Sequence, residues 1–377
     1  MLAKCIAIKT KELMQNEKKS TFIIWTPLHL FNALRFILSR GLIGRCDAFY
    51  ICQSDGMEKY YQGVLSEGIF KNIYSSSHEK LKKNQRFWEV TAGLFYPPAY
   101  VWHMFGREAT DNRYDMLFMS VPTRLNDAII RANDCREIVG YDDGTGSYLG
   151  NLYDCSLGRK YELIKKTISN SSYQVTKAYI NNPEIADQGG DIEYEKLLAR
   201  DLTDGEREQV KRVFGYKDNV YLTPFIYLNQ PIKEITSNHE SIQTEEKIIE
   251  ILTKELGSEL SVRMHPREKD KELYRGLKLN DNTQMWEIIC SEENIDEKVL
   301  ISSFSTAQFT PKLLFNKEPY IIFTIKMLEE YCEKKTISNA ERLINLLKDK
   351  YTRKSRVISV NNKKELEETL RNISNIQ

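Results

Sequence analysis

The stretch EIVGYDDGTGSYLGN, Glu137 to Asn151, opens as a strand and closes as a polar turn. Ile138 and Val139 are apolar, and Asp142 and Asp143 stand side by side where the strand would stop. Gly144 and Gly146 allow a sharp turn and the close approach of a ligand. In an open parallel sheet, ligands bind outside the carboxyl ends of the strands. Two acids at such an end, followed by small and hydroxyl residues, suit a binding or catalytic site. The same composition also makes an ordinary acidic turn, so the neighbouring segments decide between the two.

Upstream, Thr21 to Trp25 (TFIIW) reads as a buried strand, closed by Thr26-Pro27 and followed by LHLFNALRFILSRG. Leu30, Leu34 and Ile37 fall on one face of a helix there. The alternation continues with a strand at Cys46 to Ser54, a helix at Lys59 to Phe70 and a strand at Asn72 to Ser76. A strand at Asp115 to Val121 and a helix at Arg124 to Asn133 then precede the strand that delivers the acids. Alternating strands and helices predict a parallel, doubly wound sheet. Arg86 to Phe105 (RFWEVTAGLFYPPAYVWHMF) breaks the pattern. It reads as a buried helix pair broken at Pro97-Pro98, or as an acceptor-binding or membrane-surface flap.

The alternation weakens between Ser169 and Asp218, apart from a charged helix at Asp204 to Val213, and the passage between domains is placed near residue 216. A second series follows. Its strands are expected at Asn219 to Phe225, Glu259 to Met264, Lys298 to Phe304, Tyr320 to Ile325 and Arg356 to Val360. Helices are expected at Thr244 to Leu256, Gln284 to Cys290 and Thr306 to Phe315. Two series of similar length predict an α/β chain of two facing Rossmann-like domains with parallel sheets and a cleft between them, 1–215 and 216–377.

Composition narrows the partners. Lys plus Arg number 54 and Asp plus Glu 53, so no overall field recruits nucleic acid. The seven cysteines are scattered without CxxC spacing, as in a reducing cytoplasm. The five histidines show no metal-ligand spacing, so no metal or cofactor is expected. No apolar run is long enough to span a bilayer, and the N-terminal run is too short for a signal peptide. Peripheral contact with the inner face of a membrane stays open. The chain has neither a Gly-x-Gly-x-x-Gly fingerprint nor a Walker lysine loop.

Two further motifs stand at strand ends. In RMHPRE, His265 closes an apolar strand and Pro266 forces the chain out of the sheet, with Arg263 and Arg267 flanking it. A lone histidine is more often structural than catalytic, although its place here favours a site. In FSTA, after the strand VLISS, Ser305 or Thr306 would cap a helix. A helix start carrying hydroxyls also suits a phosphate, and the two roles are compatible.

YDDG, HPRE and FSTA in this order, with the opening TPLHLFNALRFI, resemble the bacterial sialyltransferases, and most closely glycosyltransferase family 52, the lipooligosaccharide sialyltransferase type. The resemblance implies a GT-B fold with an N-terminal acceptor-side domain and a C-terminal nucleotide-donor-binding domain. It also implies a CMP-sialic acid donor and inverting, metal-independent transfer to a terminal sugar hydroxyl, galactose being the first choice, of a surface lipopolysaccharide or capsule glycan. A homodimer is plausible on the same ground. Gly144, Pro266, Arg267, Ser303, Ser305 and Thr306 would bind the donor, and His265 would serve the leaving phosphate. Of the two acids, Asp142 is preferred as base over Asp143. Some members take the base from an acid after a Gln-Pro element, which here is Gln230-Pro231 with Glu234 beyond. Rivals are a GT-B transferase using another nucleotide sugar, a sugar-nucleotide epimerase, and a non-catalytic glycan- or nucleotide-binding subunit.

Overall fold

A parallel strand covered by helices on both faces must be apolar on both, so its sequence reads as a continuous hydrophobic run. β1 (Ser20–Ile24) and β2 (Cys46–Ile51) are such strands, buried at every position. The helix Pro27–Ser39 connects them. It starts with proline in its first turn beneath the Thr26 cap, whose hydroxyl accepts from the His29 N–H. With β3 (Ile73–Ser76), β4 (Arg113–Met119), β5 (Asp134–Tyr141), β6 (Lys177–Ile180) and β7 (Glu193–Lys196) they form one sheet. Its order is β3-β2-β1-β4-β5-β6-β7, and every pair is parallel. Aromatic side chains fill the middle: Phe22 stacks on Phe118 at 4.3 Å and meets Tyr141 edge-on at 5.8 Å.

The structure is a computed structural model that describes residues 19–53, 55–77, 79–81, 91–148, 152–154, 157, 159–168, 173–186, 191–218, 220–231, 239–266, 268, 271–280 and 283–375. The chain divides into two units, Met1–Gly215 and Tyr216–Gln377. The second holds β8 (Phe225–Leu228), β9 (Leu260–Arg263), β10 (Lys278–Leu279), β11 (Val299–Ser302), β12 (Tyr320–Phe323) and β13 (Val357–Ser359). These form a second all-parallel sheet in the order β10-β9-β8-β11-β12-β13. Both sheets have the doubly wound order of a Rossmann-like domain. Strand order reverses between β1 and β4 in the first unit and between β8 and β11 in the second. The crevice beyond the carboxyl ends at such a reversal is where these folds bind ligands.

Three sequence readings need correction. The strand expected at Asn219 to Phe225 begins instead at Phe225, because Pro224 cannot donate to a ladder and β8 is a central strand. Pro224 contributes only its carbonyl, which accepts from Val299 N–H at 2.9 Å. The region of weak pattern contains β6 and β7, which are short; β7 is the polar edge sequence EYEK, without a hydrophobic signature. The aromatic segment, so far as it is described, is not wholly buried. The helix Pro97–Phe105 buries Tyr100, Val101, Met104 and Phe105 in the core. Phe95, Tyr96 and Trp102 remain 50%, 72% and 56% exposed.

Gly140 lies on β5 two residues before Asp142. A Cβ there would sit 2.6 Å from the Tyr153 ring and 2.8 Å from Ala178 Cβ on β6. Tyr153 in turn donates to the Tyr141 carbonyl at 3.1 Å. Gly140→Ala should therefore destabilise the protein by about 1–3 kcal/mol, as overpacking of a filled core does, read as a lower denaturant midpoint at unchanged m.

Candidate functional site

The acids at the end of β5 separate into two environments. Asp142 is 1% exposed, and four donors occupy its carboxylate. Gly144 N–H donates to Oδ1 at 2.7 Å. Oδ2 accepts from the Tyr148 hydroxyl, from the Asn181 N–H and from the Asn181 side-chain amide, each at 2.8 Å. Gly144 can make this contact because its φ is +83°, which a side chain would oppose. Burial pushes the Asp142 carboxyl up, against the pull of these hydrogen bonds.

Asp143 faces elsewhere. Its side chain is 29% exposed and its carboxylate bonds to His29 Nε2. His29 is buried, and its Nδ1 accepts from the Trp25 N–H at 3.3 Å and lies 3.2 Å from the Ser120 hydroxyl. A ring nitrogen that accepts from a backbone N–H carries no proton, so the neutral imidazole holds its proton on Nε2 and donates it to Asp143. Trp25 follows β1 and Ser120 follows β4, so the histidine sits at the reversal point of the sheet. The geometry separates the two acids. Asp142 is fully engaged in holding the turn, and Asp143 is the acid that reaches solvent.

Sequence reasoning missed His29 and the residues that follow it. His29, Asn32 and Arg35 recur every three residues along the helix Pro27–Ser39, all buried. Asn32 donates to the Asp142 carbonyl at 3.0 Å, and Arg35 donates to the Asn181 side-chain carbonyl at 2.9 Å. Burial lowers the Arg35 guanidinium to about 10, with Asp142 opposing the shift. The signal was present as a polar stripe inside an otherwise apolar helix.

In the second unit, two motifs flank β8 at its carboxyl end. His265 follows β9; its N–H donates to Asn229 Oδ1 at 3.0 Å, and its carbonyl accepts from Glu268 N–H at 2.9 Å. Pro266 is exposed beside it. FSTA follows β11. Ser305 is the cap of the helix Thr306–Phe315, its hydroxyl accepting from Ala307 N–H at 3.3 Å while Gln308 returns a bond to the Ser305 N–H. Thr306 is exposed at the helix start. Ser303, expected at the donor as well, is 1% exposed, and its hydroxyl accepts from Thr324 at 3.4 Å. Glu234 and Arg267 lie outside the described residues.

Behind the His-Pro loop, Glu245 is buried and accepts from Tyr274 at 2.8 Å and Tyr227 at 3.2 Å. Tyr274 also accepts from the Asn229 amide at 2.6 Å, which links Glu245 to the loop.

No protein-family model matches the chain, and no curated protein matches it. It is similar in structure to a calicheamicin glycosyltransferase, CalG4, at 11% identity and TM-score 0.47 over 95% of this chain and 90% of that one. It is also similar to the UDP-GlcNAc 2-epimerase of Methanocaldococcus jannaschii with UDP-GlcNAc and UDP (14%, TM-score 0.47, 95% and 93% covered). A third is the S. aureus MnaA–UDP structure (11%, TM-score 0.46, 95% and 88% covered). Likeness at this level decides nothing about the chemistry of this chain.

Burial pushes the Glu245 carboxyl up from 4.5 to about 7, with Glu268 adding to the shift and the two tyrosine hydroxyls opposing it. A raised carboxyl binds its proton more tightly folded than unfolded. Its contribution to stability is therefore full below 4.5 and is lost as pH rises through about 7. Relative to Glu245→Gln, the native protein should lose up to roughly 3 kcal/mol across that window, measured by chemical denaturation at several pH values.

Proposed function

We propose that the chain is a glycosyltransferase of the GT-B type that moves sialic acid from CMP-sialic acid to a sugar hydroxyl of a surface glycan, with inversion. The observation that carries this reading is the Asp143–His29 pair at the reversal point of the first sheet: a partly exposed carboxylate held by a buried imidazole of fixed tautomer. Such a group is placed to accept a proton from an acceptor hydroxyl. The sequence resemblance names the donor.

The reaction breaks the bond from the sugar's anomeric carbon to the CMP phosphate and forms one to the acceptor oxygen. Asp143 takes the hydroxyl proton as that oxygen attacks, and His29 orients the carboxylate through its Nε2–H. Negative charge grows on the departing phosphate. His265 donates to it, and the amides at the start of the helix Thr306–Phe315, with Thr306 beside them, stabilise it as a helix start does any phosphate. Ser305 and Pro266 shape the two loops. Asp143 belongs to the first unit, and His265 and Thr306 to the second. Glu234 is the reserve base. The exposed Phe95, Tyr96 and Trp102 supply the face for peripheral contact with a membrane, since tyrosine and tryptophan suit the lipid–water boundary.

In thermal-shift measurements CMP should stabilise the chain, by about 2.7 kcal/mol at a hundredfold excess over Kd, while UDP and GDP should not. A response to UDP alone would transfer the reading to another nucleotide sugar or to an epimerase. In transfer assays with a galactose-terminated acceptor, Asp143→Asn should lower kcat by about 10²–10⁴ while leaving CMP affinity intact. Asp142→Asn should instead destabilise the fold by about 1–3 kcal/mol, because an amide must turn a donor toward a donor. Normal turnover in Asp143→Asn would remove it as base.

A further inference from the structure

The ladder between β8 and β11 pairs Phe225 with Val299, Ile226 with Leu300 and Tyr227 with Ile301, and then stops. Pro231, two residues beyond Asn229, has no N–H to continue it. Past that point the backbone of Phe304 needs partners. The Gln230 side chain supplies both: its Oε1 accepts from Phe304 N–H at 2.8 Å and its Nε2 donates to the Phe304 carbonyl at 2.5 Å. A primary amide here imitates the neighbouring strand that is no longer present. Phe304 immediately precedes Ser305, the cap of the helix whose start faces the proposed phosphate.

The adjacent residue does the same on the other side. Asn229 N–H donates to the Arg263 carbonyl at 3.0 Å, and its Oδ1 accepts from His265 N–H at 3.0 Å. Its amide nitrogen is held by Tyr274, at 2.6 Å. β8 lies between β9 and β11, so two consecutive residues at its end fix the loops that carry HPRE and FSTA.

We infer that Asn229 and Gln230 are positioning residues, Asn229 for the His265 loop and Gln230 for the phosphate-binding helix start. This inference rests on the donor-binding reading above. Gln230 acts only through Phe304, so it should matter for a ligand's phosphate and not for its base or ribose. Asn229 acts through His265, so it should matter when the phosphate leaves more than when it binds.

The test compares CMP with cytidine by titration calorimetry on the full chain, with thermal melting as the control for folding. Gln230→Met keeps side-chain length without the amide, and Gln230→Ala is the harsher companion. Each should weaken CMP binding about tenfold, the equivalent of about 1.4 kcal/mol, while leaving cytidine affinity unchanged. Asn229→Ala should lower transfer kcat about tenfold or more while CMP affinity stays within about twofold. For Gln230, equal losses for CMP and cytidine, or no loss for either in folded Gln230→Met protein, would leave only a structural role and overturn its assignment. Unchanged kcat in Asn229→Ala would overturn that half. If the unaltered protein binds UDP in place of CMP, the sialyl-donor reading fails on its own, and the same comparison of UDP with uridine still decides Gln230. If it binds no nucleotide, both fall.

Discussion

Where a doubly wound sheet reverses its order, two neighbouring strands leave in opposite directions, and the backbone beyond the last ladder pair loses its partners. Buried N–H and C=O groups left unpaired are costly, so polar side chains must take over. Both sheets of this protein show the consequence. In the first, the His29 ring receives the Trp25 N–H and the Asn32 amide reaches the Asp142 carbonyl. In the second, Gln230 completes Phe304 and Asn229 completes His265. The residues that close the sheet are adjacent to the residues that would do the chemistry, which explains why the polar groups of each unit gather there.

Charge follows the same economy. Asp142 is buried but not alone, because Arg35 stands behind Asn181 and the two charges are relayed through that amide. Desolvating a lone carboxylate would be prohibitive, whereas one with four donors and a nearby cation is tolerable. Glu245 is held by a different set of donors. It accepts from two tyrosine hydroxyls, and burial raises its carboxyl to about 7. Burial pushes both carboxyls up, and in both the hydrogen bonds they accept pull the other way.

Much of this was legible in the sequence. Apolar runs announced β1, β2, β4, β9, β11 and β12 because buried parallel strands leave few other readings. YDDG, HPRE and FSTA were visible as motifs because each interrupts an apolar run with residues that a core would exclude. The polar strand β7 was not legible, since an edge strand need not be hydrophobic. Nor was β8 placed correctly, because VYLTPF and FIYL are both strand-like and only Pro224 separates them. His29 is hard to read from the sequence for a different reason. Leu30, Leu34 and Ile37 mark the helix by its apolar face, and the polar residues at 29, 32 and 35 are interspersed with that apolar pattern.

The distinction between Asp142 and Asp143 could not come from sequence, because the two are the same residue in adjacent positions. It comes from the different surroundings of the two side chains just past the end of β5. One side of the end of β5 holds Asn181 and Tyr148, which can donate to a carboxylate and exclude water from it. The other holds the first turn of the helix Pro27–Ser39 and access to solvent. Whichever acid faces the donors becomes part of the scaffold, and its neighbour inherits the opening. Moving the pair by one residue would exchange those roles without changing composition. The DDG motif therefore works as a unit: its first acid fixes the glycine turn, and that turn sets the direction in which the second acid points.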